Sequence, residues 1–256
     1  LPQFTAGILP VLAFCINNSL RNQPFAFYWY NNSMKPAENA LILHETTDFL
    51  IVNKPAGLGT VPGGWTPSEE SLAELLEARY GRVWTVHRLD KGTSGVMIFA
   101  RTAAAHRTLS LLFETRKVRK TYHAILIGNP PWEEHTARHP LRFDVGHSHR
   151  TVVDHGRGKP SETTFRVLQR FHGSCLIEAH PGTGRTHQVR VHAYALGFPL
   201  LGDDLYGTVG RDNIPTIQRP ALHAYSLEFE YEGKPFSFTA PYPNDFIEAL
   251  KITRAG

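Results

Sequence analysis

The decapeptide Val86-His87-Arg88-Leu89-Asp90-Lys91-Gly92-Thr93-Ser94-Gly95 lies between two apolar runs, Val83 to Val86 and Val96 to Ala100. A polar, glycine-marked stretch bounded in this way predicts two short strands joined by a loop. Its tip carries one carboxylate, Asp90, between the cations Arg88 and Lys91. Gly92 and Gly95 allow backbone conformations that other residues resist, and Thr93 and Ser94 can tie the loop to its own main chain. The loop is shaped to hold Asp90. An Asp at such a tip is ordinarily a solvated turn residue, so the surrounding chain decides whether it does more.

The 256 residues fit one large mixed domain, and 41% hydrophobic residues supply its core. No uninterrupted apolar run approaches the ~18 residues that span a bilayer, so no membrane partner is expected. Cys15 and Cys175 make neither a disulfide framework nor a metal-binding pair, which points to a reducing, cytoplasmic setting. The net charge of +4 is unevenly placed: Arg79 to His123 holds ten Lys/Arg against two acids, a net +8 around Asp90. A solvated helical face is the usual meaning of a charge run, but much of this one falls on loops and strand ends. It suits a polyanion such as RNA, whose phosphates supply sequence-independent affinity.

The expected organisation is an N-terminal extension, 1–39, followed by one catalytic domain, 40–256. Residues 1–33 show no sustained period, and Met34 is a possible true start, which leaves the preceding residues as either an upstream misreading or a small extension. From there, Leu41 to Leu43 and Phe49 to Val52 read as strands, closed by the tight turn Asn53-Lys54-Pro55-Ala56-Gly57. Ser68 is placed to cap a helix reaching Tyr80, with Gly81 as its stop, and Thr102 to cap a second that carries Leu109, Leu112 and Phe113 on one face. Val118 to Leu126 alternates as a strand. Residues 129–160 read as a variable loop and hairpin; their histidines (His135, His139, His147, His149, His155) lack zinc-ligand spacing, so no metal is expected. Glu162 to Arg170, Ser174 to Ala179 and Ala221 to Phe229 are further strands, and a short helix starts at Asn244.

Between them, Pro181-Gly182-Thr183-Gly184-Arg185-Thr186-His187-Gln188-Val189-Arg190-Val191-His192 is a glycine-rich turn feeding a helix that starts near Thr186 and stops at Gly197. It has neither the spacing of a phosphate loop nor that of a dinucleotide fingerprint, so no nucleotide cofactor is expected.

Taken together, these strings resemble the RluA-type pseudouridine synthases. HRLDKGTSG matches every fixed position of the signature His-Arg-Leu-Asp-x-x-Thr-Ser-Gly; "DFLIVNKPAGL…VPGG" is similar to the family's first motif; Lys-x-Tyr-x-Ala recurs at Lys120 to Ala124; and residues 184–203 resemble Gly-Arg-Thr-His-Gln-x-Arg-x-His with its downstream Gly-x-Pro-x-x-Gly-Asp. The closing "LHA…L.F…F.AP.P" is similar too, so the likeness runs from about residue 45 to 243. It is closest to the short members without an S4 domain, and no S4-like module is expected. The resemblance implies a mixed α/β (α+β) pseudouridine synthase fold, a central and mostly antiparallel sheet with flanking helices. It implies Asp90 as the catalytic residue, Tyr122 against the target base, and Arg190 paired with Asp90. RNA contacts are expected from His87, Arg88, Thr93, Lys120, Arg185, His187 and Gln188, with Arg88 as the group that fills the gap left by an extruded base.

The implied reaction breaks the bond from ribose C1′ to uracil N1, turns the base and rejoins it through C5. An isomerisation needs nothing supplied from outside, so no cofactor is expected. Arg190 would hold Asp90 ionised and fix its direction. Attack at C1′, addition at C6 and abstraction of the C2′ proton all require that carboxylate beside the nucleoside. The expected partner is a stem-loop of ribosomal or transfer RNA, bound by a monomer. Two other readings compete: a catalytically idle RNA-binding protein on the same scaffold, and a histidine-dependent metallohydrolase. An isolated carboxylate in a net +8 segment, with Tyr122 and Arg190 in place, weighs against the first. The irregular histidine spacing weighs against the second.

Overall fold

A computed structural model describes residues 41–63, 70–146, 150–207 and 217–255. The extension to residue 39, with Cys15 and Met34, lies outside the described residues, as does Ser68. Among the described residues the elements run β1 (Leu41–Glu45), β2 (Phe49–Lys54), α1 (Leu72–Tyr80), β3 (Trp84–Thr85), β4 (Ser94–Ala100), α2 (Ala103–Glu114), β5 (Arg119–Ile127), β6 (Glu134–Ala137), β7 (Leu141–Val145), β8 (Arg150–Val153), β9 (Thr163–Phe171), β10 (Ser174–Pro181), α3 (Gln188–Ala195), β11 (Leu222–Tyr231), β12 (Lys234–Thr239) and α4 (Asn244–Ala255). No described helix is long and apolar enough to cross a membrane.

The main sheet has the order β1-β2-β4-β11-β5-β10-β9-β6, with β3 added to β4 and β12 to β11; β7 and β8 form a separate hairpin. One junction in the main sheet, β4 with β11, is parallel. The expected mixed, mostly antiparallel sheet with helices is therefore what the chain forms. At the parallel junction Gly95 has φ +121°, and a Cβ there would stand 2.2 Å from the Ala224 carbonyl oxygen. Only glycine lets the two backbones come so close. In register across the sheet stand Lys54, Gly95, Ala224, Tyr122, Ala179 and Phe165. Two small residues of that row, Ala224 and Ala179, flank Tyr122.

Helices cover both faces. α1 and α2 pack against β2 and β4 through Leu72, Leu76, Ala105 and Leu109. On the other half, Val189 and Ala193 of α3 meet Ala124, Leu126 and Ile177, whereas Phe246, Ala249 and Leu250 of α4 meet Ile125 and Leu176. Alternate residues of β5 thus face opposite helices, as a pleated strand requires. Tyr122 shares the α3 side.

Several boundaries differ from the sequence expectation. α1 starts at Leu72 with Ser71 as its cap, in a capping box with Glu74: Ser71 N–H donates to Glu74 Oε2 at 2.8 Å, and Glu74 N–H to Ser71 Oγ at 3.4 Å. β3 is two residues long instead of four, because the next β4 amide, that of Ile98, donates to His87 Nε2 at 3.1 Å. A side chain replaces the strand. α3 starts at Gln188, after His187 in the left-handed region (φ 54°). The 129–160 segment adds an edge strand, β6, held on β9 by backbone pairing.

Candidate active site

The Asp90 loop is pinned from three directions. Thr60 Oγ1 donates to the Leu89 carbonyl at 2.9 Å and accepts from Leu89 N–H at 3.2 Å. The Lys91 carbonyl accepts from Gly57 N–H at 2.8 Å and from Lys54 Nζ at 3.3 Å. Arg219 donates to the Gly92 carbonyl at 3.1 Å, and Thr93 N–H closes the turn on the Asp90 carbonyl at 2.9 Å. Thr93, expected at the RNA, is buried and lines the pocket below, and the Ser94 hydroxyl lies 2.9 Å from His223 Nδ1 on β11. A loop with this many main-chain anchors holds its carboxylate in one place before any ligand arrives.

Asp90 lines a pocket of about 110 Å³ with Arg88, Thr93, Lys120, Tyr122, Arg185 and His187. Arg88, Lys120, Tyr122 and Arg185 also line an adjoining groove of about 770 Å³, which adds Arg116, Lys117 and Arg119. The basic segment is thereby sorted: these cations face the groove, whereas Arg79 and Arg101 lie by the Tyr80 ring and Arg82 by Trp84. Arg88 and Arg185 are exposed at the rim. Lys120 Nζ donates to the Thr183 carbonyl at 3.1 Å, which ties β5 to the glycine-rich turn. Burial, helped by Arg116, pushes that amine down to about 8. For Tyr122, burial and then the charge of Asp90 raise the phenol above its ordinary range, so it stays protonated.

Arg190 does not make the ion pair expected of it. Its guanidinium grips Asp203, Nε to Oδ2 and Nη2 to Oδ1, both at 2.7 Å, and that carboxylate is wholly buried. A carboxylate out of water needs a cation and hydrogen bonds together, and Asp203 obtains both from one planar fork. Arg190 acts on Asp90 only through space. The side chain facing Asp90 is His187, with Nε2 3.8 Å from Oδ2. Its other nitrogen, Nδ1, lies 3.0 Å from the Tyr206 hydroxyl. Burial lowers its pKa, Asp90 opposes and Arg190 adds to the lowering.

Two residues expected at the RNA line the groove and the pocket and are engaged by the scaffold as well. His87 accepts from Ile98 N–H and stacks on Phe113 with ring centroids 4.4 Å apart; burial pushes it down to about 3, so it carries no charge for a phosphate. Gln188 uses its whole amide. Nε2 donates to the Glu162 carbonyl and Thr163 Oγ1, while Oε1 accepts from Thr183 Oγ1 and Arg185 N–H. It locks the glycine-rich turn onto β9.

Sequence reasoning missed Lys54, which is wholly buried at the end of β2. Its ammonium donates to the carbonyls of Pro55 (2.8 Å), Leu58 (2.7 Å) and Lys91 (3.3 Å); burial pushes it down to about 7 against the pull of Asp90. The signal was present, since Leu50, Val52 and Lys54 share one face of an alternating strand. Asp203 closes the glycine-rich motif and Tyr206 stands three residues beyond it, and nothing local marked their partners.

Residues 48–195 match the RNA pseudouridylate synthase family. The ribosomal large subunit pseudouridine synthase D of Haemophilus ducreyi is 35% identical over 236 residues, covering 83% of this chain and 70% of its own length. The dual-specificity RNA pseudouridine synthase RluA of Salmonella typhi is 34% identical over 218 residues, 85% of this chain and 98% of its own. Among solved structures, human RNA pseudouridylate synthase domain containing 1 aligns with a TM-score of 0.68 at 32% identity, covering 82% of this chain and 87% of its own. With sequence motifs, fold and family match in agreement, the chain belongs to the RluA-type RNA pseudouridylate synthases, isomerases that act on RNA.

Proposed function

We propose that Asp90 performs the isomerisation on a uridine extruded from structured RNA, and that the basic groove holds the strand beside it. The observation that carries this reading is a single carboxylate, anchored through its backbone, in a pocket walled by Tyr122 and opening onto six groove cations. Scission of C1′–N1 builds positive charge at C1′, which an ionised carboxylate stabilises or captures. C1′–C5 then forms, N1 gains a proton and C5 loses one. The Tyr122 ring offers a face for the uracil to stack on. Removing a uridine from a stem costs a few kcal/mol and leaves a gap, which exposed Arg88 is placed to fill. Ribosomal RNA is the favoured substrate, supported by the name of the Haemophilus ducreyi relative, with transfer RNA as the other arm of the test. The free Cys175 thiol suits the reducing cytoplasm where such RNA is found.

Loss of the C5 proton makes the test direct: release of tritium from ribosomal and transfer RNA transcripts carrying 5-³H-uridine. The wild type is expected to release it and Asp90→Asn to release none, with RNA affinity held within severalfold. Full turnover by Asp90→Ala would falsify the assignment, and release from neither RNA with binding retained would favour an idle RNA-binding protein.

A further inference from the structure

Two hydrogen bonds run from the β7–β8 hairpin to His187, whose ring faces Asp90 across the pocket wall. Thr151 N–H, in β8, donates to the Tyr206 hydroxyl oxygen at 2.9 Å. The same hydroxyl lies 3.0 Å from His187 Nδ1. A phenol has one proton to give. With the amide aimed at its oxygen, the phenol keeps that proton for a second partner, and Nδ1 is the ring nitrogen beside it. An imidazole accepting at Nδ1 carries its own proton on Nε2. Nε2 is the atom that faces Asp90.

The other tautomer sets a nitrogen lone pair against the carboxylate, which repels it. The surroundings keep the relay in place. Tyr206 is 2% exposed, and the guanidinium carbons of Arg150 and Arg190 lie 5.1 and 5.0 Å from its ring centroid. His187 sits in the left-handed region, a conformation that costs a non-glycine residue on the order of 1 kcal/mol or more and directs the ring from the start of α3 toward the loop.

We propose that Tyr206 is a positioning residue for the isomerisation: it fixes His187 as the Nε2–H tautomer, which holds one oxygen of Asp90 and leaves the other for the nucleoside. A further approach of ~1 Å converts the present 3.8 Å separation into a hydrogen bond. This rests on Asp90 being the catalytic carboxylate.

The test pairs a spectroscopic measurement with a double-mutant cycle. In protein labelled with ¹⁵N-histidine, the ring nitrogens of His187, assigned by their disappearance in His187→Gln, are expected to show a proton on Nε2 in the wild type and a mixture of tautomers in Tyr206→Phe. Turnover by Tyr206→Phe is expected to fall roughly tenfold with KM for RNA within about twofold, the pattern of a lost transition-state contact. His187→Gln offers an amide N–H toward Asp90 whatever Tyr206 does. Adding Tyr206→Phe to it should therefore cost nothing further, whereas a merely structural tyrosine gives additive losses. A proton on Nδ1 in the wild type, an unchanged tautomer or turnover in Tyr206→Phe, or additivity in the cycle each overturns the proposal. A wild type that releases no tritium overturns the proposed function instead, and the tautomer measurement then decides this inference alone.

Discussion

Lys54 shows how one buried residue holds the Asp90 loop in place. Its three donors meet three carbonyls, one of them on Lys91, the residue after Asp90. Lys54→Met keeps most of the stem's volume but takes the ammonium from the Pro55 and Leu58 carbonyls and leaves the Lys91 carbonyl with Gly57 N–H alone, and each buried unsatisfied group costs about 1–3 kcal/mol. We expect urea unfolding to report a loss of about 3 kcal/mol or more; an unchanged midpoint removes Lys54 from the loop's supports. Asp90→Asn, by contrast, should leave the midpoint nearly unchanged. The two residues were unequally legible. Asp90, Arg88 and Tyr122 stand in strings whose spacing names them, whereas a lysine in an Asn-Lys-Pro turn reads as solvated until the strand before it is seen to be buried. Arg190 was legible as a residue and not as a partner, because a sequence carries no distance by which to choose between Asp90 and Asp203.

At the scale of elements, the β4–β11 junction carries the site. It brings the start of β4, where the loop ends, beside Ala224 and within two strands of Tyr122. Gly95→Ala meets backbone atoms of Ala224 at 2.2, 2.6 and 2.7 Å, and no rotamer change relieves a backbone clash. We expect that variant to lose more than ~4 kcal/mol or to be insoluble, while Gly233→Ala, whose added Cβ meets nothing within 4 Å, should lose only about 1 kcal/mol despite its own positive φ. Equal losses in urea unfolding contradict the junction's special role. Continuous apolar runs made β2, β4 and β10 readable, and alternation β5, β9 and β11. β6, Glu-His-Thr-Ala, has no apolar period and exists because β9 offers it an edge; β3 stops short because His87 takes the Ile98 amide.

For the whole molecule, buried neutral histidines couple the fold to pH. His192 sits between Thr163 Oγ1 and the His139 carbonyl, and His223 between Ser94 Oγ and the Ala240 carbonyl. Burial pushes both down to about 4, and His87 to about 3, from an unfolded value of 6.5. The unfolded chain therefore takes up protons first as pH falls. Stability is full above pH 6.5 and declines toward pH 4, each histidine contributing up to about 1.4 kcal/mol per pH unit in that window. Denaturant midpoints measured from pH 7 to 4.5 should fall steeply; a flat profile places these rings in water. The sequence by itself determined the family likeness, the mixed sheet, the carboxylate and the basic surroundings, because short-range spacing and alternation record what neighbouring residues do. The tertiary structure alone decided that Arg190 grips Asp203, that His87 and Gln188 brace the scaffold, and that Tyr206 reaches Asp90 through His187. Those pairings join residues from separate turns and strands, and directional hydrogen bonds between them are settled only when packing sets the distances.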